Sequence, residues 1–167
     1  MRLPAFLIGL TLVAAPLLAG CGFTPLYATP GLAPALSGIE TIAPEGRLGA
    51  LLREQMDDAV ARDRSAPATM RLEMSLKQVR TARGRRIDNV ATRYELVATA
   101  DWRLTSLADG QVVRTGQTRA EVTVDSTDQP YAAVAAQQDA ESRLAGELAR
   151  RIQLDISTWL YRQKTGS

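Results

Sequence analysis

The sequence predicts an α+β domain: one antiparallel or mixed four-stranded sheet with two helices packed on one of its faces, in the order β-α-β-β-β-α. Three observations carry this expectation. Apolar residues alternate with polar ones over two long stretches, 70–77 and 94–104. That period of two belongs to strands with one buried face. An Asp109-Gly110 pair follows the second stretch and marks a tight hairpin into a third. Two segments at helical period, 47–62 and from 130 onwards, stand on either side of these strands. A sheet with one apolar face must be covered, and two amphipathic helices are available to cover it.

The elements follow in chain order. Residues 39–43 form a short apolar candidate strand. From Arg47 to Arg62, Leu48, Leu51, Leu52, Met56, Ala59 and Val60 share one helical face, and Pro67 lies beyond the end. Met70, Leu72, Met74 and Leu76 then alternate with Arg71, Glu73, Ser75 and Lys77. Residues 81–90, with Gly84 and Asp88-Asn89, read as a basic loop. Tyr94, Leu96, Ala98, Ala100, Trp102 and Leu104 form the apolar face of the next strand. Val112 to Val124 has a weaker pattern, because Arg114 and Thr118 share the parity of Ala120, Val122 and Val124. Asp128 and Pro130 look like a helix start. Val134, Leu144, Leu148, Ile152 and Trp159 then recur at helical spacing to about residue 162. Asp139, Glu141, Glu147 and Asp155, with Arg143, Arg150, Arg151 and Arg162, read as a solvated opposite face. On the same patterns Trp102, Trp159, Met70 and Met74 are expected in the core rather than in a lipid or sugar groove.

The N-terminus has a different character. Met1-Arg2 supplies one positive charge, and Leu3 to Leu18 runs 16 residues without another. A transmembrane helix needs about 20 apolar residues, and this run is interrupted by Pro4, Gly9 and Pro16. Leu18-Ala19-Gly20-Cys21 then resembles the lipobox of bacterial lipoproteins. That resemblance implies a signal peptide over residues 1–20, cleavage between Gly20 and Cys21, and acyl chains (palmitate among them) on Cys21. Cys21 is the single cysteine of the chain, so no disulfide within the chain supports the fold. Residue 22 is Gly rather than Asp, which by resemblance to enterobacterial sorting favours the outer membrane. Residues 22–38 are rich in Gly, Pro, Ala and Thr and uncharged, and read as a tether. Residues 21–38 are thus the lipidated start and tether, and residues 39–167 a single domain.

Composition narrows the chemistry. The chain has no His, which removes the most usual general base and metal ligand. No Ser-His-Asp or Cys-His site can form within it, and no glycine-rich phosphate loop precedes a helix. Asp57-Asp58 point about 100° apart on a helix and read as solvated; Glu95 and Asp101 are too far apart along one strand to pair. No enzyme, cofactor or metal is expected. Residues 71–93 are the basic part of the chain, with seven Lys and Arg against Glu73 and Asp88. Without an aromatic platform other than Tyr94, and in a secreted chain, a nucleic-acid partner is discounted.

Directly after the lipobox stands Cys21-Gly22-Phe23-Thr24-Pro25-Leu26-Tyr27. Cys-Gly-Phe followed by a polar and an apolar residue resembles the mature start of the LptE family of lipopolysaccharide-assembly outer-membrane lipoproteins. The Pro-Leu-Tyr continuation is similar to the alphaproteobacterial branch, and the order of elements through Asp128-Gln129-Pro130 and the final helix is compatible over the mature chain. The resemblance implies a non-enzymatic protein with two helices on a sheet, seated in the lumen of the LptD β-barrel as a plug. Such a protein helps that barrel assemble and helps lipopolysaccharide reach the cell surface.

Within this frame Arg80, Arg83, Arg85 and Arg86 are candidate lipopolysaccharide contacts, since guanidinium groups match phosphate oxygens bidentately. Arg85 or Arg86 is nearest in position to a basic loop residue implicated in relatives. The same loop would also serve as a solvated hairpin tip or a contact with the barrel wall. A second basic residue, early in the final helix of relatives, has no counterpart here, for Pro130 to Ser142 holds no Lys or Arg. Two other functions remain open to the sequence: a stand-alone periplasmic lipid-binding adaptor, and a lipid-anchored hydrolase using carboxylates.

Overall fold

A computed structural model of the chain describes residues 31–85, 91–125 and 129–166. The lipobox, Gly20, Cys21 and the Cys-Gly-Phe motif lie outside the described residues, as do Arg86, Asp88-Asn89 and Asp128. The elements are α1 (Leu32–Ser37), β1 (Ile39–Ile42), α2 (Arg47–Ala59), β2 (Met70–Arg85), β3 (Ala91–Ser106), β4 (Val112–Asp125) and α3 (Pro130–Thr165). The four strands form one sheet in the order β1-β2-β3-β4. β1 runs parallel to β2, while β2, β3 and β4 form an antiparallel meander. The sheet is therefore mixed, as expected, and the parallel pair exists because α2 carries the chain back between β1 and β2.

The core lies between one sheet face and the helices. Leu72 and Met74 of β2, the even-numbered residues Leu96 to Leu104 of β3, and Ala120 of β4 are all buried. Against them stand Leu144, Leu148, Ile152 and Ile156 of α3 and Leu48, Leu52 and Met56 of α2. The alanines at 98, 100 and 120 are small, which lets a helix approach the sheet closely. Trp102 lies in this layer, 3% exposed, and its Nε1 donates to Thr118 Oγ1 at 3.1 Å. Thr118 thus explains the weak pattern of β4: a polar residue faces the core because the indole N–H needs an acceptor there. A Cβ on Gly116 would overlap the indole ring, so the same strand provides both the space and the acceptor.

The structure departs from the sequence reading in five places. An additional helix, α1, occupies part of the segment read as a tether. Its Leu32 and Leu36 are spaced to share a face and both are buried, which uncharged Gly- and Pro-rich composition hides. Second, residues 81–85, read as loop, continue β2, and Arg83 pairs with Arg93 and Arg85 with Ala91 in an unbroken register. Third, α2 ends at Ala59 rather than Arg62. Ala61 adopts φ 50°, with Ala61 N–H donating to Asp58 O and Arg62 N–H to Asp57 O; this is a Schellman cap with alanine in the position glycine usually holds. Fourth, Val134 is exposed, because the buried face of α3 begins only at Ala140. At 1.5 Å per residue α3 is roughly 54 Å long, and its first turns extend beyond α2, which is roughly 20 Å.

Fifth, Glu141, read as part of a solvated face, is buried. Its carboxylate accepts from Arg47 Nε at 3.1 Å and Gln137 Nε2 at 3.2 Å. Arg47 is the first residue of α2, whose first turn carries no acidic residue of its own. A carboxylate from α3 at that end complements the helix dipole and ties the two helices together. Trp159 and Met70 are half-buried against the core. Among the described residues no helix is long and apolar enough to cross a membrane, and no cluster of potential metal ligands occurs.

Candidate ligand and partner surface

Strand alternation distributes the basic segment. β2 sends even-numbered side chains toward the helices and odd-numbered ones to the opposite face, so Arg80 and Arg83 leave on opposite sides. Arg80 lies over the ring of Tyr94, its guanidinium carbon 3.8 Å from the ring centroid. Together they close one side of a hollow of about 50 Å³ between the sheet and the first turns of α3, floored by Leu96, Val124 and Ala133 and rimmed by Asp125 and Gln137. A cation stacked on an aromatic face is held in place while its N–H edges stay free to bond outward.

Arg83 sits on the open face. Its Nε donates to Glu95 Oε2 at 2.8 Å. That hydrogen bond raises the Arg83 pKa and lowers that of Glu95, since each charged form is favoured by the other. Directly opposite Arg83 is Arg93, which the sequence reading did not single out; its Nε donates to Asp125 Oδ1 at 2.9 Å. The signal was present, since Arg93 has the same odd parity as Glu95, but only the register brings it beside Arg83. Arg85 pairs through its backbone with Ala91 at the end of the hairpin. Arg80 and Arg83 are therefore not one cluster on a loop. Arg80 stacks on the helix side and Arg83 is paired on the open side, both near the far end of the β2-β3 hairpin.

The open face continues as a lattice of short polar contacts. Glu73 and Arg103 pair across β2 and β3 at 3.4 Å, Gln117 Nε2 donates to Asp101 Oδ1 at 2.6 Å, and Arg119 and Glu121 meet at 3.3 Å. Lys77, Thr99 and Arg119 form one row across three strands. No described helix covers this face, and its exposed apolar side chains include Val79, opposite Val97, and Ile42, beside Glu73. The Asp57-Asp58 pair makes no site: Asp57 is taken by Arg64 at 2.9 Å. Glu95 and Asp101 are likewise engaged separately, by Arg83 and Gln117.

Fold and surface together define a class: a sheet with helices on one side, an uncovered polar face on the other, and arginines gathered at the far end of its longest hairpin. The family model for lipopolysaccharide-assembly proteins, LptE, matches residues 35–156. The chain belongs to the LptE lipopolysaccharide-assembly family. Among solved structures it is similar to a protein of Caulobacter crescentus CB15, provisionally described as a lipoprotein, at 53% identity and a TM-score of 0.70, covering 80% of this chain and 97% of that one. The rare lipoprotein B of Shewanella oneidensis matches with a TM-score of 0.58 at 11% identity, over 75% of this chain and 98% of that one. An uncharacterized lipoprotein B of Nitrosomonas europaea matches with a TM-score of 0.50 at 15% identity, over 71% and 83%. The last two share the fold. A search of curated proteins returned no match.

Proposed function

We propose that this protein is a lipid-anchored subunit of the lipopolysaccharide-assembly machinery of the outer membrane, acylated on Cys21 after cleavage at Gly20, and that it works without catalysing a reaction. In this reading it plugs the lumen of an LptD-type β-barrel from the periplasmic side, supports the assembly of that barrel and assists delivery of lipopolysaccharide to the surface. The observation that carries the reading is the uncovered sheet face. A barrel lumen is polar, and a plug must meet it with donors and acceptors of both signs rather than with an apolar patch. The cross-strand lattice from Glu73 and Arg103 to Arg93 and Asp125 has that character. Membership in the LptE family supports the same assignment. The hairpin arginines are the proposed contacts for lipopolysaccharide phosphates, with Arg80 held on Tyr94 and Arg83 able to exchange Glu95 for a phosphate oxygen.

The test is affinity purification of tagged full-length protein from detergent-solubilised outer membranes. A large β-barrel recovered in about equal amount is the expected result. Recovery of the chain alone with its anchor intact would overturn the plug and favour a stand-alone lipid-binding adaptor.

A further inference from the structure

β4 is an edge strand, with β3 on one side and no described strand on the other. The hairpin shows which of its backbone groups face outward. Ser106 N–H donates to Gln111 O, toward β4, whereas Leu107 N–H donates to Thr69 O, toward β2. Even-numbered residues of β3 therefore turn their backbone groups to β4 and odd-numbered ones to β2. Thr99 is odd and stands opposite Arg119, so this is a non-hydrogen-bonded pair. The carbonyl of Arg119 points off the sheet, near the middle of the free edge.

Arg151 of α3 occupies that carbonyl. Its Nη1 donates to Arg119 O at 2.7 Å, while its Nε is held by Glu147 Oε1 at 2.6 Å. One helical turn further on, Asp155 accepts from Arg114 Nη2 at 2.9 Å. The helix thus grips the edge at two points, and the Arg151 fork crosses the line that an incoming strand would need. The edge is otherwise suited to meet itself. Antiparallel pairing about Arg119 would oppose Thr115 with Thr123 and Gln117 with Glu121, all with outward-facing backbone, while each Arg119 keeps its own Glu121.

We propose that Arg151, oriented by Glu147, guards the β4 edge against antiparallel pairing with a second copy of this chain. The proposal stands independently of the barrel reading. It is tested on the full chain purified in mild detergent, by sedimentation and by hydrogen exchange. Arg151→Ala doubles the sedimenting protein mass as concentration rises, and the amides of Arg119, Glu121 and Thr123 become slower to exchange. Arg150→Ala removes the other arginine bound to Glu147 and sediments as the parent does. Arg151→Ala combined with Arg119→Pro returns to the parent mass, because proline removes an outward N–H and no ladder bond. Arg151→Lys, which keeps the charge without the fork, associates at higher concentration than Arg151→Ala and guards against a folding defect in the alanine variant. Parent-like mass and exchange in folded Arg151→Ala would overturn the proposal, as would association that persists with Arg119→Pro.

Discussion

Gly116 and Trp102 show how much one atom decides. The indole ring occupies the space where a Cβ of residue 116 would stand, and that ring is buried and tied to Thr118 through its N–H, so it cannot swing away to relieve the overlap. Gly116→Ala is expected to cost about 1–3 kcal/mol of stability, measured by urea denaturation. Glu95 gives a second prediction at this scale. Its pKa is depressed by the hydrogen bond from Arg83, so the pair contributes stability above the unfolded pKa of Glu95 and loses it as pH falls through the folded value. The Glu95 carboxyl should titrate below the usual carboxylate range by NMR and return toward that range in Arg83→Ala. An unshifted midpoint in the parent would remove the pair from the account of the open face.

Among the elements, α2 depends on two ends that sequence patterns describe poorly. Its C-terminus closes through Ala61 at φ 50°, where a Cβ is disfavoured by about 1–2 kcal/mol. Ala61→Gly is expected to raise stability by about 0.5–1 kcal/mol, the strain relieved exceeding the added freedom of the unfolded chain, and a higher thermal midpoint would show it. Its N-terminus is held by Arg47 against the buried Glu141 carboxylate. Arg47→Ala leaves that carboxylate with Gln137 and should cost about 1–3 kcal/mol, reduced from a fully buried pair because Arg47 is half exposed. The double variant Arg47→Ala with Glu141→Gln should recover part of the loss, and a cycle of denaturation measurements would detect the coupling.

For the whole molecule, Gly31 and the hollow of Arg80 and Tyr94 lie toward opposite ends of α3. Gly31 packs beside Lys164 at the C-terminal end of α3, whereas the hollow of Arg80 and Tyr94 lies at its N-terminal end, by Ala133. The helix between spans roughly 46 Å. The proposed anchor on Cys21 lies ten residues before Gly31, and ten residues reach at most about 36 Å even fully extended, short of that length. Cys21→Ser is therefore expected to abolish incorporation of labelled fatty acid and loosen membrane association while leaving the domain folded. Labelling that persists would exclude the lipobox assignment. Replacement of Arg83, Arg85 and Arg86 together by Ala should weaken lipopolysaccharide binding with no loss of the folded far-UV signal, and unchanged affinity would assign those side chains to the barrel wall or to solvent.

The sequence by itself determined the element types, the meander of long strands and the composition of the core, because side-chain period is a local property that the burial of one face imposes on every strand and helix. Leu72, Leu104, Leu144 and Ile152 were legible in this way, and so was the Asp109-Gly110 hairpin. Only the tertiary structure decided which charges meet. The split of Arg80 from Arg83, the entry of Arg93, the burial of Glu141 and the grip of Arg151 on Arg119 all depend on register and on which helix lies over which strand. Those are non-local choices, set by packing across the core, and neighbouring residues in the chain carry no record of them.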